Sequence, residues 1–398
     1  MNIDNSGPGE ATRMIHPAAD GEVLLRTAAP VLQRGTTVLL DNSDCFGKSS
    51  PSYGRSGLAT QEALRHSLCE LEHGEVAELY PSGLAALSGA ILAVCRSGDE
   101  ILICDTIYGP TRRFAETTMA DYGVTARYFP ADIALGELEA LIGLATRLIV
   151  LEAPGSLTLD MIDVPAIATL ARTCGVLTLI DNTYAAGVLF KPLDHGVDIS
   201  VQALTKYVCG HSDVFMGCAV ARGEVGAMLK RSSRSIGWAV SSDDAYLALR
   251  GLRTLHTRIE RHGAAALEVA SWLAAQPLVR EVMCPALPGT VGHDLFVRDY
   301  AGGNGLITIV LDAPETAATA FLDALRLFGL GYSWGGFESL AIPCNDQIRQ
   351  RRFAAPCESP VIRLHVGLEN PADLISELQI ALSACAQAKD NEQSPRTY

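Results

Sequence analysis

The chain has 398 residues, 48% hydrophobic and only 19% charged, which is enough apolar material for two or three cores. A formal net charge of −14 argues against nucleic acid, whose phosphates demand a basic face, and no apolar run is long enough to span a bilayer. Eleven cysteines without a Cys-x-x-Cys pair and nine histidines without ligand spacing point to no disulfide framework and no metal.

Residues 1–50 read as an N-terminal arm, broken by Pro8, Pro17 and Pro30. Its first part is polar, with Asp4 and Glu10, and lacks the basic start and apolar stretch of a signal peptide, which predicts a cytoplasmic protein. From 51 to about 247 helical and strand-like segments alternate. Helices are expected at Thr60–Glu72, Leu84–Cys95, Arg113–Tyr122, Leu135–Leu144 and Val164–Cys174. Strands are expected at Val76–Tyr80, Ile101–Cys104, Thr125–Phe129, Leu148–Leu151, Leu177–Ile180 and Ile199–Val201. Short apolar runs between helices predict an α/β large domain built on a mostly parallel sheet covered on both faces. A long helical stretch, Asp243–Ala275, leads into a smaller α/β domain at 248–390, with strands at Gly305–Leu311 and Val361–Val366. Its helices fall at Thr316–Leu327 and Ala372–Ala386, and residues 391–398 form a polar tail.

A parallel sheet binds ligands at the carboxyl ends of its strands, so the residues that follow each run carry the functional signal. Ser82-Gly83-Leu84 opens a helix, where unpaired amides can hold a phosphate; alone the same residues are an ordinary cap. Asp181, after Leu177–Ile180, could hold a protonated ring nitrogen, or serve as a magnesium ligand or helix cap. Lys206, in Gln202-Ala203-Leu204-Thr205-Lys206-Tyr207, becomes a nucleophile and base if desolvated. A phosphate cradle, an acid for a ring nitrogen and an amine for an aldehyde are the handles that pyridoxal 5′-phosphate (PLP) requires. A nicotinamide-dependent dehydrogenase would need a Gly-x-Gly-x-x-Gly turn after an early strand, and none is present.

At these residues the sequence resembles the PLP-dependent cysteine and methionine metabolism (trans-sulfuration) enzymes, over about Ser52–Leu382. The resemblance is carried by Tyr53-Gly54-Arg55, Asp181–Gly187, Gln202–Asp213, Tyr332–Leu340 and Ile362–His365. It implies the aspartate aminotransferase-like (fold type I) architecture, with a seven-stranded type of sheet. Lys206 would bind the cofactor aldehyde, Asp181 pair with its ring nitrogen, and Tyr108 stack on its face. Gly83, Leu84 and Thr205 would hold its phosphate, with one bond missing because Ala203 stands where some relatives carry a hydroxyl. Tyr53 and Arg55 would complete the site of a neighbouring subunit, making a dimer the smallest active unit and a homotetramer the expected assembly. Arg363 would grip the α-carboxylate of a small amino-acid substrate, with Ser333 and Trp334 beside it.

Relatives that react at Cγ usually lack the Tyr and Trp that stand here at Tyr332 and Trp334. The resemblance therefore implies a carbon–sulfur β-lyase acting on L-cystathionine or another S-substituted cysteine, as in bacterial cystathionine β-lyases. The alternatives are a γ-lyase, a γ-synthase, a cysteine desulfhydrase, or a PLP-binding regulator without turnover. Arg112 and Arg113 follow the Tyr108 turn and are candidates for a substrate's distal carboxylate.

Overall fold

In the protein's structure, a computed structural model that describes residues 9–15, 27–48, 51–354 and 358–393, two sheets carry the architecture. The first contains β1 (Val76–Tyr80), β2 (Glu100–Cys104), β3 (Thr125–Phe129), β4 (Thr146–Glu152), β5 (Leu177–Asp181), β6 (Ile199–Gln202) and β7 (Gly217–Ala221). Their order is β1-β7-β6-β5-β4-β2-β3, and β7 alone runs against its neighbours. Alternate residues of one run enter different cores: Leu148 and Val150 of β4 pack on one face, Ile149 and Leu151 on the other. Two-sided burial is why these strands are continuous apolar runs rather than alternating ones.

The second sheet contains β8 (Val279–Met283), β9 (Leu306–Leu311), β10 (Gly329–Leu330), β11 (Leu340–Pro343) and β12 (Val361–His365), in the order β10-β11-β12-β9-β8. Apart from the β10–β11 pair it is antiparallel. The helix Leu255–Ala274 joins the two bodies: Leu255 and Ile259 lie in the core of the first sheet, Val269 and Leu273 in that of the second.

Three segments differ from expectation. The stretch Asp243–Ala275 is two helices, Ser242–Leu252 and Leu255–Ala274, interrupted at Thr254, whose φ of −112° and ψ of 5° leave the helical region. The helix expected from Arg113 begins earlier, at Gly109, because Pro110 occupies its first turn, where a missing N–H costs nothing. The last helix, Pro371–Gln393, runs into the expected tail, of which 394–398 lie outside the described residues. The arm is described only in part, with 1–8, 16–26 and 49–50 outside. Within it the helix Glu10–Ile15 buries Met14 in the first core and sets Glu10 against Lys191 and His256. Among the described residues no helix is long and apolar enough to cross a membrane.

Five of the six co-directional strands, β1, β2, β4, β5 and β6, deliver Ser82, Tyr108, Glu152, Asp181 and Lys206 to one edge of the sheet. Those residues build the site.

Candidate active site

After β6 the chain turns at once. Ala203 N donates to Thr183 Oγ1 (2.9 Å), Thr205 N to Met216 O (3.1 Å) and Lys206 N to Ala203 O (3.0 Å). The turn aims Lys206 Nζ at Ser333 Oγ, 2.9 Å away, with the ammonium 5.4 Å from the centre of the Trp334 ring. Burial and the nearby Arg363 charge pull the lysine down to about 8, against an upward pull from Asp181. An amine so placed is partly neutral at ordinary pH, as a nucleophile and base must be. Gly335 lets the Ser333–Trp334 turn approach this closely: its φ is +81°, and a Cβ there would lie 2.9 Å from the Lys206 carbonyl carbon. His365 holds the same turn, accepting at Nε2 from Gly335 N (2.9 Å) and donating from Nδ1 to Glu338 O (3.0 Å). Full burial keeps its ring neutral.

Asp181, 7% exposed, ends β5 beside Glu152 at the end of β4. Its Oδ1 accepts from both the amide and the hydroxyl of Thr183, while Oδ2 has no bond among the described residues. Burial raises Asp181, and the Thr183 donors and Lys206 lower it. Below the turn, Asn182 Nδ2 donates to the buried Glu72 (3.1 Å) and to Phe190 O (3.1 Å), which fixes where Asp181 points. Tyr108 stands 44% exposed, its ring open to the site. Its hydroxyl is raised by burial and by the charges of Asp181 and Glu152, and lowered by Arg363 and Arg113.

At the helix Gly83–Val94, Ser82 Oγ accepts from Ala85 N (3.1 Å), and the amides of Gly83 and Leu84 have no acceptor among the described residues. Gly83 meets Ala203 so closely that a Cβ on it would be 2.4 Å from the alanine methyl. The Thr205 hydroxyl is engaged otherwise: it donates to Met216 O (3.1 Å) and accepts from Met216 N (3.0 Å).

Arg363, on β12, is 9% exposed. Its Nη2 donates to Ser333 O (2.9 Å), its Nε is buried without a partner, and no carboxylate lies within ion-pair reach among the described residues. A buried guanidinium left in this state is a receptor for an anion. The structure does not bring Tyr53 and Arg55 to this group: the Arg55 guanidinium lies 5.3 Å from the centre of the Tyr53 ring, and both side chains are exposed. Arg112 is not available to a substrate at all. It is buried against Asp105 (2.6 Å) and stacked 4.2 Å from the centre of Tyr128, so of the two arginines only the exposed Arg113 remains a candidate.

Residues 11–383 match the family described as Cys/Met metabolism PLP-dependent enzyme. The chain belongs to that family. It is 37% identical to the cystathionine beta-lyase of Haemophilus influenzae, over 94% of this chain and 98% of that one. To the cystathionine beta-lyase of Escherichia coli it is also 37% identical, over 92% and 96%. Among solved structures, cystathionine gamma synthase from Xanthomonas oryzae pv. oryzae, in complex with aminoacrylate and cysteine, superposes with a TM-score of 0.88 at 29% identity. That match covers 96% of this chain and 100% of the other.

The chain's own groups fit PLP, the cofactor of the family. A half-satisfied buried carboxylate, a desolvated amine, unpaired helix-start amides and an open aromatic ring surround one edge of the sheet. Three contributors escape sequence reasoning. Glu152 follows the apolar run Leu148–Leu151 as Asp181 follows its own, and nothing local sets it apart. Thr183 and His365 lie inside the quoted motifs without a signal of what they hold. No group of three or more His, Cys, Asp or Glu among the described residues could hold a metal ion.

Proposed function

We propose that the protein is a PLP-dependent carbon–sulfur β-lyase. It cleaves L-cystathionine, or another S-substituted L-cysteine, to a thiol such as homocysteine, pyruvate and ammonia, and works in the cytoplasm. The observation that carries this reading is the Lys206 amine held on Ser333 and beside Trp334, with the vacant Arg363 guanidinium one residue contact away. The fold does not choose between β and γ chemistry, since a γ-synthase shares it. Ser333 and Trp334, which lie against the reactive lysine, support the β reading.

Bound at this edge, PLP would supply an electron sink for negative charge developing beside the amino group. Asp181 Oδ2 would hold the ring-nitrogen proton, with Oδ1 kept in place by Thr183. Gly83 and Leu84 would donate their amides to the phosphate, and Thr205 would join them by swinging its proton away from Met216 O. Tyr108 would lie on the ring face. Arg363 would take the α-carboxylate through its free Nε and Nη2, a two-pronged bond that fixes the substrate's Cα toward Lys206. Lys206 Nζ would then remove the Cα proton, steered by Ser333 Oγ, and deliver it to the departing sulfur. General-base help of this kind gives about 10²–10⁴-fold. One water is consumed in releasing pyruvate and ammonia. Arg113, beyond Tyr108, would meet the distal carboxylate of a long substrate.

Tyr53 and Arg55, exposed and turned to each other, would enter the site of a neighbouring subunit, so that a homo-oligomer, expected to be a tetramer of paired dimers, is the working form. Lys206→Ala tests the cofactor assignment. It should be colourless and inactive with unchanged far-ultraviolet circular dichroism. A variant that stays yellow and still releases a keto acid would overturn it.

A further inference from the structure

Glu152 is the site's unexplained group. It is a half-buried acid, one strand from the acid that is to hold the ring nitrogen, and it makes no contact with Lys206 or Arg363 among the described residues. Its two oxygens are used separately. Oε2 accepts from Tyr108 N (2.7 Å), and Oε1 is bonded to Ser156 Oγ (2.6 Å). Each partner belongs to a different strand-end loop. Tyr108 begins the turn after β2, and Ser156 lies in the loop after β4. The second loop is itself tied to the first by Ser156 N to Thr106 O (2.9 Å), and Gly155 packs so close to Thr106 that a Cβ would lie 2.5 Å from its hydroxyl. From the other body, the Arg351 guanidinium closes on the same loop through Ser156 O and through Thr158 Oγ1 (2.7 Å).

We propose that Glu152 is a positioning residue: through the Tyr108 amide it sets the Tyr108 ring at a fixed place relative to Asp181, and it takes no part as acid or base toward the substrate. The inference rests on the PLP reading of the site above. Tyr108 has φ −48° and ψ 125° and precedes the helix Gly109–Phe114, so its amide lies outside the helical bonding pattern, and Glu152 is the acceptor it has. The registry Glu152↔Asp181 puts that acceptor level with the ring-nitrogen acid, which makes the distance between aromatic ring and acid a property of the β4–β5 pair rather than of a loop.

Chemistry favours a neutral Glu152. Two carboxyls at neighbouring strand ends, Asp181 buried and Glu152 half-buried, do not both ionise readily. Burial first and the Asp181 charge second push Glu152 far up, against its Ser156 and Tyr108 bonds and the Arg351 charge. Here Glu152 accepts at both oxygens, from Ser156 Oγ at Oε1 and from Tyr108 N at Oε2; a proton on Oε1 would turn the Ser156 hydroxyl round to accept. Glutamine reproduces both bonds, with its NH₂ toward Ser156 and its oxygen toward Tyr108. Methionine fills the same space and makes neither.

Glu152→Gln and Glu152→Met therefore separate positioning from packing and from charge. The readings are PLP affinity, by titration of the apoprotein, and the visible circular dichroism of the bound cofactor, which reports how the ring is held. Both need no substrate, so they stand even if β-elimination proves to be the wrong reaction. Glu152→Gln should keep the wild-type affinity and dichroism. Glu152→Met should bind PLP about tenfold more weakly, with reduced or inverted dichroism, as expected when the Tyr108 amide loses the bond that holds its ring in place. Two results would overturn the proposal: Glu152→Met matching wild type in both readings, or Glu152→Gln as impaired as Glu152→Met, which would make the negative charge the working feature.

Discussion

Arg363→Met separates what the guanidinium does for the reaction from what it does for the fold. In the free protein this side chain is 9% exposed, spends one bond on Ser333 O, and leaves Nε buried and unpaired with no carboxylate near it among the described residues. Burying a charge costs several kcal/mol, and replacing buried ionic groups by apolar side chains of similar volume is often neutral or stabilising by about 1–4 kcal/mol. The apoprotein of Arg363→Met should therefore unfold at the wild-type temperature or above it. Its kcat/KM for L-cystathionine should fall steeply. Removing one partner of a buried, hydrogen-bonded charge pair costs about 2–5 kcal/mol, or roughly 30-fold to several thousand-fold at 1.4 kcal/mol per decade. Calorimetry of the apoprotein and a lactate-dehydrogenase-coupled keto-acid assay supply the two readings. A variant that unfolds several degrees earlier and keeps kcat/KM within about fivefold of wild type would refute the receptor role.

Lys206, drawn down to about 8 by burial and then by Arg363, must be neutral to capture an aldehyde. The rate of PLP uptake by the apoprotein should rise with pH and level off above about 8, and Arg363→Met should move that midpoint upward; stopped-flow absorbance follows both. The sign for stability agrees: a lysine lowered on folding binds fewer protons folded than unfolded between about 8 and 10.5, so its share of stability grows with pH across that window. If Arg55 serves a neighbour's site, inactive Lys206→Ala and inactive Arg55→Ala subunits should recover activity when co-refolded. Random pairing would restore about a quarter of the sites, and no recovery would place Arg55 in its own subunit's site. Gly335→Ala puts a methyl 2.9 Å from the Lys206 carbonyl carbon at a φ of +81°, and should lower both the melting temperature and kcat, while Gly331→Ala, with 3.7 Å to a flexible leucine methyl, should lower neither.

The parts of the site that are legible in the sequence are those attached to apolar runs. β4, β5 and β6 are buried on both faces, so their ends are marked, and Asp181 and Lys206 follow from them. β7 is buried as fully but is not legible: Gly217-Cys218-Ala219-Val220-Ala221 is made mostly of small residues, and only its pairing between β1 and β6 makes it a strand. Arg112 shows how one-dimensional reading fails. Next to Arg113 in sequence, it turns inward to Asp105 and Tyr128, and nothing local distinguishes the two. Glu152 becomes meaningful only through its registry with Asp181, and Arg351 only through a loop that arrives from the second sheet.

The central claim is a β-elimination at Lys206, and the keto acid released from L-cystathionine by the PLP-loaded protein tests it most directly. Pyruvate together with homocysteine is the predicted result. 2-Oxobutyrate would contradict it and assign the Tyr332–Trp334 segment to γ chemistry.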